Sequence, residues 1–278
     1  MRIDEFRHWL ARPRRGALVM GVLNVTPDSF SDGGKHEQPD EAVVHGRRMA
    51  EAGAAVLDIG GESTRPGSMP VPADEQIRRV CPVIERLRDV AILSVDTRDV
   101  RVAQAALDAG AHLINDISAG TADPGMFPLA AKARAPIILM HMQGEPATMQ
   151  VNPHYDDVAR EVGEYLVRRA EAAMAAGVDR DNILIDPGIG FGKTDLHNLE
   201  LLRRLKELEQ PGFPLVVGTS RKAFIGRITG EGPVAEDRVF GTAATVAWSV
   251  ANGASLLRVH DAEPMVRVVR MVRAIMES

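Results

Sequence analysis

The sequence predicts a single-domain (β/α)8 TIM barrel, an α/β fold. Three observations predict it. Short, continuous apolar runs recur eight times along the 278 residues, as expected of strands buried on both faces of a parallel sheet. Segments with apolar residues at three-to-four spacing separate them, and several stop at a glycine, which accepts the left-handed backbone that closes a helix. The length also suits one closed barrel, which takes about 250 residues. A doubly wound open sheet is the rival architecture. The sequence lacks a glycine-rich dinucleotide fingerprint after its first strand, which favours the barrel.

The predicted strands cover 17–25, 55–60, 91–95, 112–115, 136–141, 183–186, 214–218 and 255–260. The predicted helices cover 40–52, 73–89, 100–109, 126–133, 156–176, 196–208, 236–251 and 263–276. Gly53, Gly110, Gly177 and Gly253 follow four of these helices. The recurring Ala-Gly pair reads as helix end, tight turn and next strand. Residues 1–16 are expected to be an N-terminal extension, with a strand or helix closing the barrel's amino end as the plainest reading. Residues 17–278 are expected to form the barrel. No long linker or low-complexity stretch divides the chain.

Composition narrows the function classes. Aromatic residues make up 4% of the chain and hydrophobic residues 45%, so Val, Ile, Leu, Met and Ala must fill the core. The net charge is −5 with no polybasic run, which argues against nucleic acid as a partner. An anionic substrate stays open, because local charge decides that. Cys81 is the single cysteine. It cannot form an internal disulfide, which fits a reducing compartment, and it reads as a packing residue. Residues 1–15 lack the apolar core of a secretory signal. No apolar run approaches the ~20 residues of a membrane span. The expected location is the cytoplasm.

Barrel enzymes place their chemistry at the carboxyl ends of strands. Here those ends are conspicuously polar: Asn24 after the first, Asp58 through Arg65 after the second, then Asp96, Asn115, His141 and Asp186, then Ser220-Arg221-Lys222, and finally Arg258 with His260. Each has a plainer reading taken alone. Asp or Asn after a strand often only caps the next helix, and a Gly-rich turn is often only a tight connection. Polar groups at nearly every strand end, all facing one mouth, are not explained that way. Arg65, Arg258 and His260 with Asn24 suit a polyanion, since Arg gives bidentate contacts to phosphate. Asn24 offers a neutral oxygen suited to Mg²⁺ that is shared with phosphate oxygens and water. Asp96, Asn115 and Asp186 suit the edge of a flat, nitrogen-rich ring, and Lys222 suits a ring carbonyl. No zinc-type spacing and no phosphate-loop spacing occurs, even at the Gly-rich 188–192 before Lys193. A transferase acting on a phosphorylated ring fits best.

At these residues the sequence resembles the dihydropteroate synthases. Asn-Val-Thr-Pro-Asp-Ser-Phe-Ser-Asp-Gly-Gly stands at 24–34 and Gly-Glu-Ser-Thr-Arg-Pro-Gly at 61–67. Val-Asp-Thr, Asn-Asp, Met-His-Met-Gln-Gly, Asp-Pro-Gly-Ile-Gly-Phe-Gly-Lys, Ser-Arg-Lys and Arg-Val-His-Asp follow in the family's order, from about Leu18 to His260. The resemblance implies that (7,8-dihydropterin-6-yl)methyl diphosphate is joined to 4-aminobenzoate, which sulfonamides mimic, giving 7,8-dihydropteroate for folate synthesis. It implies that Asp96, Asn115, Asp186 and Lys222 hold the pterin, with Ile117 and Met140 near the ring and Arg258 across its face. Asn24, Thr64, Arg65, Arg258 and His260 would bind diphosphate, with Mg²⁺ at Asn24. Thr64, Pro66, Phe191, Ser220 and Lys222 would frame 4-aminobenzoate. Asp28, Ser31 and Gly33 would lie on a loop that closes over the reactants. Asn24, Thr64, Arg65, Lys222, Arg258 and His260 are the expected catalytic set, and a homodimer is the expected assembly. Two rivals share parts of the pattern. A methyl-transferring pterin barrel would share Asp96, Asn115 and Asp186 but has no use for a diphosphate clamp. A barrel that has lost activity would only bind pterin or a partner.

Overall fold

The apolar runs are strands, and each joins its neighbour in parallel. The computed structural model describes residues 1–12, 15–26, 38–63, 69–209, 211–232 and 234–278. Strands β1 (Leu18–Asn24), β2 (Val56–Gly60), β3 (Ile92–Asp96), β4 (Leu113–Asp116), β5 (Ile137–Met140), β6 (Ile183–Asp186), β7 (Leu215–Val217) and β8 (Ala254–Val259) close into a barrel in sequence order, β8 pairing with β1. The outer helices are α2 (Gln38–Glu51), α3 (Ala73–Leu87), α4 (Val100–Ala109), α5 (Met126–Ala133), α6 (Val158–Ala175), α7 (Asp195–Arg203), α8 (Leu205–Glu209), α9 (Ala223–Thr229), α10 (Val239–Ala251) and α11 (Ala262–Glu277). One further helix, α1 (Ile3–Leu10), precedes β1.

The period of two along each strand divides the side chains. Leu23, Leu57, Leu93, Ile114, Leu139, Ile185, Val217 and Leu257 face the helices and join the main core. The alternate residues point into the barrel. At the amino end these are Met20, Val56, Ile92, Leu113, Ile138, Leu184, Val216 and Leu256, one from each strand. Phe6, Trp9 and Leu10 of α1 close this layer from below. Phe6 stacks on Trp9 with ring centroids 5.3 Å apart, and the Trp9 indole N–H donates to Gly16 O at 2.8 Å. Two residues further along most strands the inward set turns polar: Asp58, Ser94, Asn115, Asp186 and Arg258. The same barrel interior is thus a dry plug at one end and a charged floor at the other.

The strand predictions hold to within a residue or two at most ends. Gly53, Gly110, Gly177 and Gly253 all adopt positive φ as the helix-end reading required. Two helical segments differ from expectation. The predicted helix 196–208 divides at Arg204, whose backbone leaves helical geometry at φ −106 and ψ 22. The Arg204 guanidinium is there spread over Asp157, Glu200 and Glu207. Helix α9 was not predicted. Its seven residues are too few for a period to show, and Gly230 ends it at φ +75. Cys81 is half-buried and packs against the main core.

Candidate active site

The charged floor opens into a cavity of about 700 Å³ at the carboxyl ends of the strands. Its electrostatic centre is Arg258, which projects inward from β8. The Arg258 Nε donates to Asp58 Oδ2 on β2 at 2.6 Å, and Nη2 donates to Asp96 Oδ2 at the end of β3, also at 2.6 Å. Asn115 Nδ2, from β4, donates to the same Asp58 oxygen at 3.0 Å. Three neighbouring strands are thereby tied to β8 across the barrel. Asp58 is fully buried, and the Arg258 side chain is 20% exposed. Burial alone would lower the guanidinium's pKa, but Asp58 and Asp96 hold it above its usual value. Burial raises the Asp96 carboxyl despite Arg258, with the Asp58 charge adding to the rise. Such a pair is retained at a desolvation cost, which points to a role in recognition more than in stability. Asp58 Oδ1 and Ser94 Oγ, side by side in the β2–β3 register, keep acceptor capacity with no hydrogen-bond partner among the described residues.

Asp186 stands opposite, at the end of β6. Its Oδ1 accepts from the Gly188 N–H at 2.7 Å. Burial pushes the carboxyl up to about 6, against the pull of that hydrogen bond and of Arg258, Lys222 and Lys193. Lys222 follows β7 with its ammonium 3.9 Å from the centre of the Phe191 ring, a cation–π contact. Burial and Arg258 lower its amine to about 8. Phe191 packs with Ile117, Met140 and Met149 in a small apolar cluster beside these charges. The cavity therefore has an apolar wall and a few convergent polar groups, the usual build of a small-molecule site.

The loops after β7 and β8 are joined. Arg221 adopts a left-handed backbone at φ +61, a strained conformation that surrounding contacts must hold. Its guanidinium grips Asp261 at 3.0 and 2.7 Å, and its N–H donates to Thr242 Oγ1. Ser220 on the same turn accepts from the His260 N–H at 3.1 Å and lies 3.2 Å from His260 Nδ1. The hydroxyl oxygen has a second lone pair and a proton, so it can serve either His260 tautomer at Nδ1. Burial, then Arg258, Arg221 and Lys222, hold the imidazole down at about 3. His260 is therefore neutral in this state, so it would meet an anion through a ring N–H and not through a full charge.

Asn24, Asp96, Asn115, Ile117, Met140, Asp186, Phe191, Ser220, Lys222, Arg258 and His260 all line the one cavity. Asp28, Ser31, Gly33, Thr64, Arg65 and Pro66 lie outside the described residues. The matching stretch of known proteins covers this whole arrangement. The family model for pterin-binding enzymes matches residues 20–260, from β1 to just beyond β8. The chain is 45% identical over 260 residues to the dihydropteroate synthase of Synechocystis sp., covering 92% of this chain and 89% of that protein. This chain belongs to the dihydropteroate synthase family of pterin-binding enzymes. The solved dihydropteroate synthase of Xanthomonas albilineans with 4-aminobenzoic acid superposes with a TM-score of 0.89 at 48% identity, covering 95% of this chain and 94% of that one. The same enzyme in complex with 7,8-dihydropteroate superposes at 0.86 and 46% identity, again over 95% of each chain.

Some cavity features of this dihydropteroate synthase barrel were not singled out from sequence. Asp58 anchors Arg258, and its position two residues after inward Val56 could have shown that it points into the barrel. Met149 and Gln150 reach the cavity from the long loop after β5, where no periodicity marks them. Lys193 is buried at the end of the Gly-rich turn, where the sequence reading gave it no role.

Proposed function

We propose that this chain joins (7,8-dihydropterin-6-yl)methyl diphosphate to 4-aminobenzoate, forming 7,8-dihydropteroate and diphosphate. The observation that carries this is that one cavity brings together groups suited to a pterin, an arylamine and a diphosphate. Asp96, Asn115, Asp186 and Lys222 supply acceptors and donors for the edge of a pterin, with Ile117 and Met140 against the ring and Arg258 across its face. Phe191, Ser220 and Lys222 frame the arylamine, a role the sequence resemblance also gives Thr64 and Pro66. Asn24, Arg258 and His260, with Thr64 and Arg65, receive the diphosphate.

The reaction suits these groups. The bond between the exocyclic methylene and the diphosphate oxygen breaks, and its electron pair leaves with the diphosphate. The electron-rich dihydropterin carries the positive charge that develops. The arylamine nitrogen lone pair then bonds to the methylene, and its proton is lost to solvent. Catalysis is mostly positioning and stabilisation of the leaving group. Neutral His260 contributes a ring N–H donor, and the approach of a polyanion favours its protonation. Met149, packed with Phe191, adds to the wall on the arylamine side.

Mg²⁺ is part of this reading. The donor set fits an ion held mainly by substrate and water: one amide side chain, Asn24, lines the cavity at the end of β1. Among the described residues no group of three or more His, Cys, Asp or Glu side chains is arranged to hold a metal. When bound, the ion would neutralise charge on the departing diphosphate. Asp28, Ser31 and Gly33 would close one loop over the reactants, excluding water.

The assembly proposed is a homodimer. Phe240 and Trp248 of α10 and Met271 and Ile275 of α11 are large apolar side chains at 80%, 50%, 62% and 62% exposure, and α10 packs beside α11. Exposed apolar surface of this kind marks an interface. No helix among the described residues is long and apolar enough to cross a membrane, and the cytoplasm is the location proposed. Incubation with the pterin diphosphate, labelled 4-aminobenzoate and Mg²⁺ tests the reaction. Labelled dihydropteroate is expected. No labelled product from folded protein, with an active synthase run alongside, would overturn the proposal.

A further inference from the structure

Successive carbonyl oxygens in the turn after β6 are each held by a different side chain. Gln150 Nε2 donates to Gly190 O at 2.8 Å, Lys193 Nζ donates to Phe191 O at 2.9 Å, and the Tyr155 hydroxyl donates to Gly192 O at 2.8 Å. Gln150 and Tyr155 come from the loop after β5, and Lys193 closes the turn itself. The backbones of the two segments also meet. Gly188 and Gly192 have positive φ, and a Cβ at either would collide with the carbonyl of His141 or Gln143. Phe191 sits at the middle of the three clamped carbonyls, and its ring meets Lys222.

Lys193 is an expensive residue to use as a simple staple. It is 2% exposed, and no ion pair to it occurs among the described residues. Its Nζ lies 3.0 Å from His141 Nδ1 and 3.4 Å from His141 O. Burial lowers the amine to about 7, with Asp186 opposing and Lys222 adding to the fall. The arrangement nonetheless satisfies both charge states. The ammonium donates to all three neighbours, and the neutral amine donates to the two carbonyls while accepting from the other His141 tautomer. A methionine would fill the niche without desolvating a charge, but it would release Phe191 O.

We infer that Gln150, Tyr155 and Lys193 are positioning residues that clamp the turn carrying Phe191 and thereby set the fit of the arylamine substrate. This rests on the arylamine site proposed above. Steady-state kinetics of the full chain at pH 8 test it. Lys193→Met is expected to raise KM for 4-aminobenzoate about tenfold, with kcat within about threefold and KM for the pterin diphosphate within about twofold. Gln150→Ala, at an exposed side chain, and Tyr155→Phe are expected to raise the same KM about threefold each. The deciding arm repeats Lys193→Met and Gln150→Ala in a Phe191→Ala background. Because the clamp acts through Phe191, neither is expected to add more than about twofold there. Equal factors in both backgrounds would overturn the inference, as would kcat and both KM values moving together with melting temperature. An active wild type whose arylamine KM is unmoved by all three changes removes the clamp alone. A folded but inactive wild type removes the proposed reaction and the clamp with it.

Discussion

The two ends of the barrel interior are built from the same strands and obey different rules. At the amino end Phe6, Trp9 and Leu10 meet eight apolar side chains, one per strand. Two residues along, Asp58, Asn115, Asp186 and Arg258 occupy the equivalent inward positions. The first layer stabilises the fold by removing apolar surface from water, about 25 cal/mol for each Å². The second layer desolvates carboxylates and a guanidinium, which at best breaks even. The charged layer is therefore tolerated for what it binds, and the plug makes that tolerance affordable.

Changes at the two ends should separate accordingly. Arg258→Met strikes the charged floor and should have the largest effect. It leaves Asp58 and Asp96 buried without their shared partner, and breaking a buried pair costs about 3–5 kcal/mol. Turnover should also fall by on the order of 10²–10³ for loss of a charge-stabilising donor. Urea unfolding with product assays on the folded fraction measures both. Activity retained in folded protein would break the assignment of the floor to chemistry. Trp9→Ala strikes the plug. It should destabilise by about 3–5 kcal/mol, as large-to-small core changes do, while kcat/KM of the folded protein stays within about twofold. A selective loss of activity would mean that the two ends are coupled.

The smallest expected effect is the most discriminating. Burial pushes Asp186 up to about 6. Below that pH the carboxyl holds a proton where a ring N–H should donate, so pterin affinity should fall about tenfold per pH unit as pH drops through 6. The same shift has a stability consequence. A carboxyl raised in the folded state adds stability below its unfolded value, near 4, and loses that advantage as pH rises through 6. Asp186→Asn should then be at least as stable as the wild type at pH 7 while binding pterin more weakly by about 1.5–3 kcal/mol, with the acid limb gone. Calorimetric titrations across pH 5–8 would show this, and an unchanged acid limb in the variant would assign the titration to another group.

The architecture was legible because strand and helix signals repeat with the right periods, and the glycines marking four helix ends adopt the predicted backbone. The polar strand ends were legible because a carboxylate or amide ending an apolar run is conspicuous. Other features were hidden for physical reasons. Asp58 looks like part of the motif that follows it, and its bond to Arg258 joins residues 200 positions apart. Lys193 looks like a solvated lysine, since nothing local indicates that a chain-distant His141 encloses it. The neutral state of His260 depends first on its burial and then on Arg258, Arg221 and Lys222, and the burial is not visible along the chain. Helix α9 and the break at Arg204 fall below the length at which a period can be read.

A crystal structure with 7,8-dihydropteroate bound tests the central claim most directly. The account predicts the pterin edge within hydrogen-bonding distance of Asp96, Asn115 and Asp186, with Arg258 across its face and the aminobenzoyl ring beside Phe191 and Lys222. A ligand seated elsewhere, or a pterin whose edge meets none of those three side chains, would contradict it.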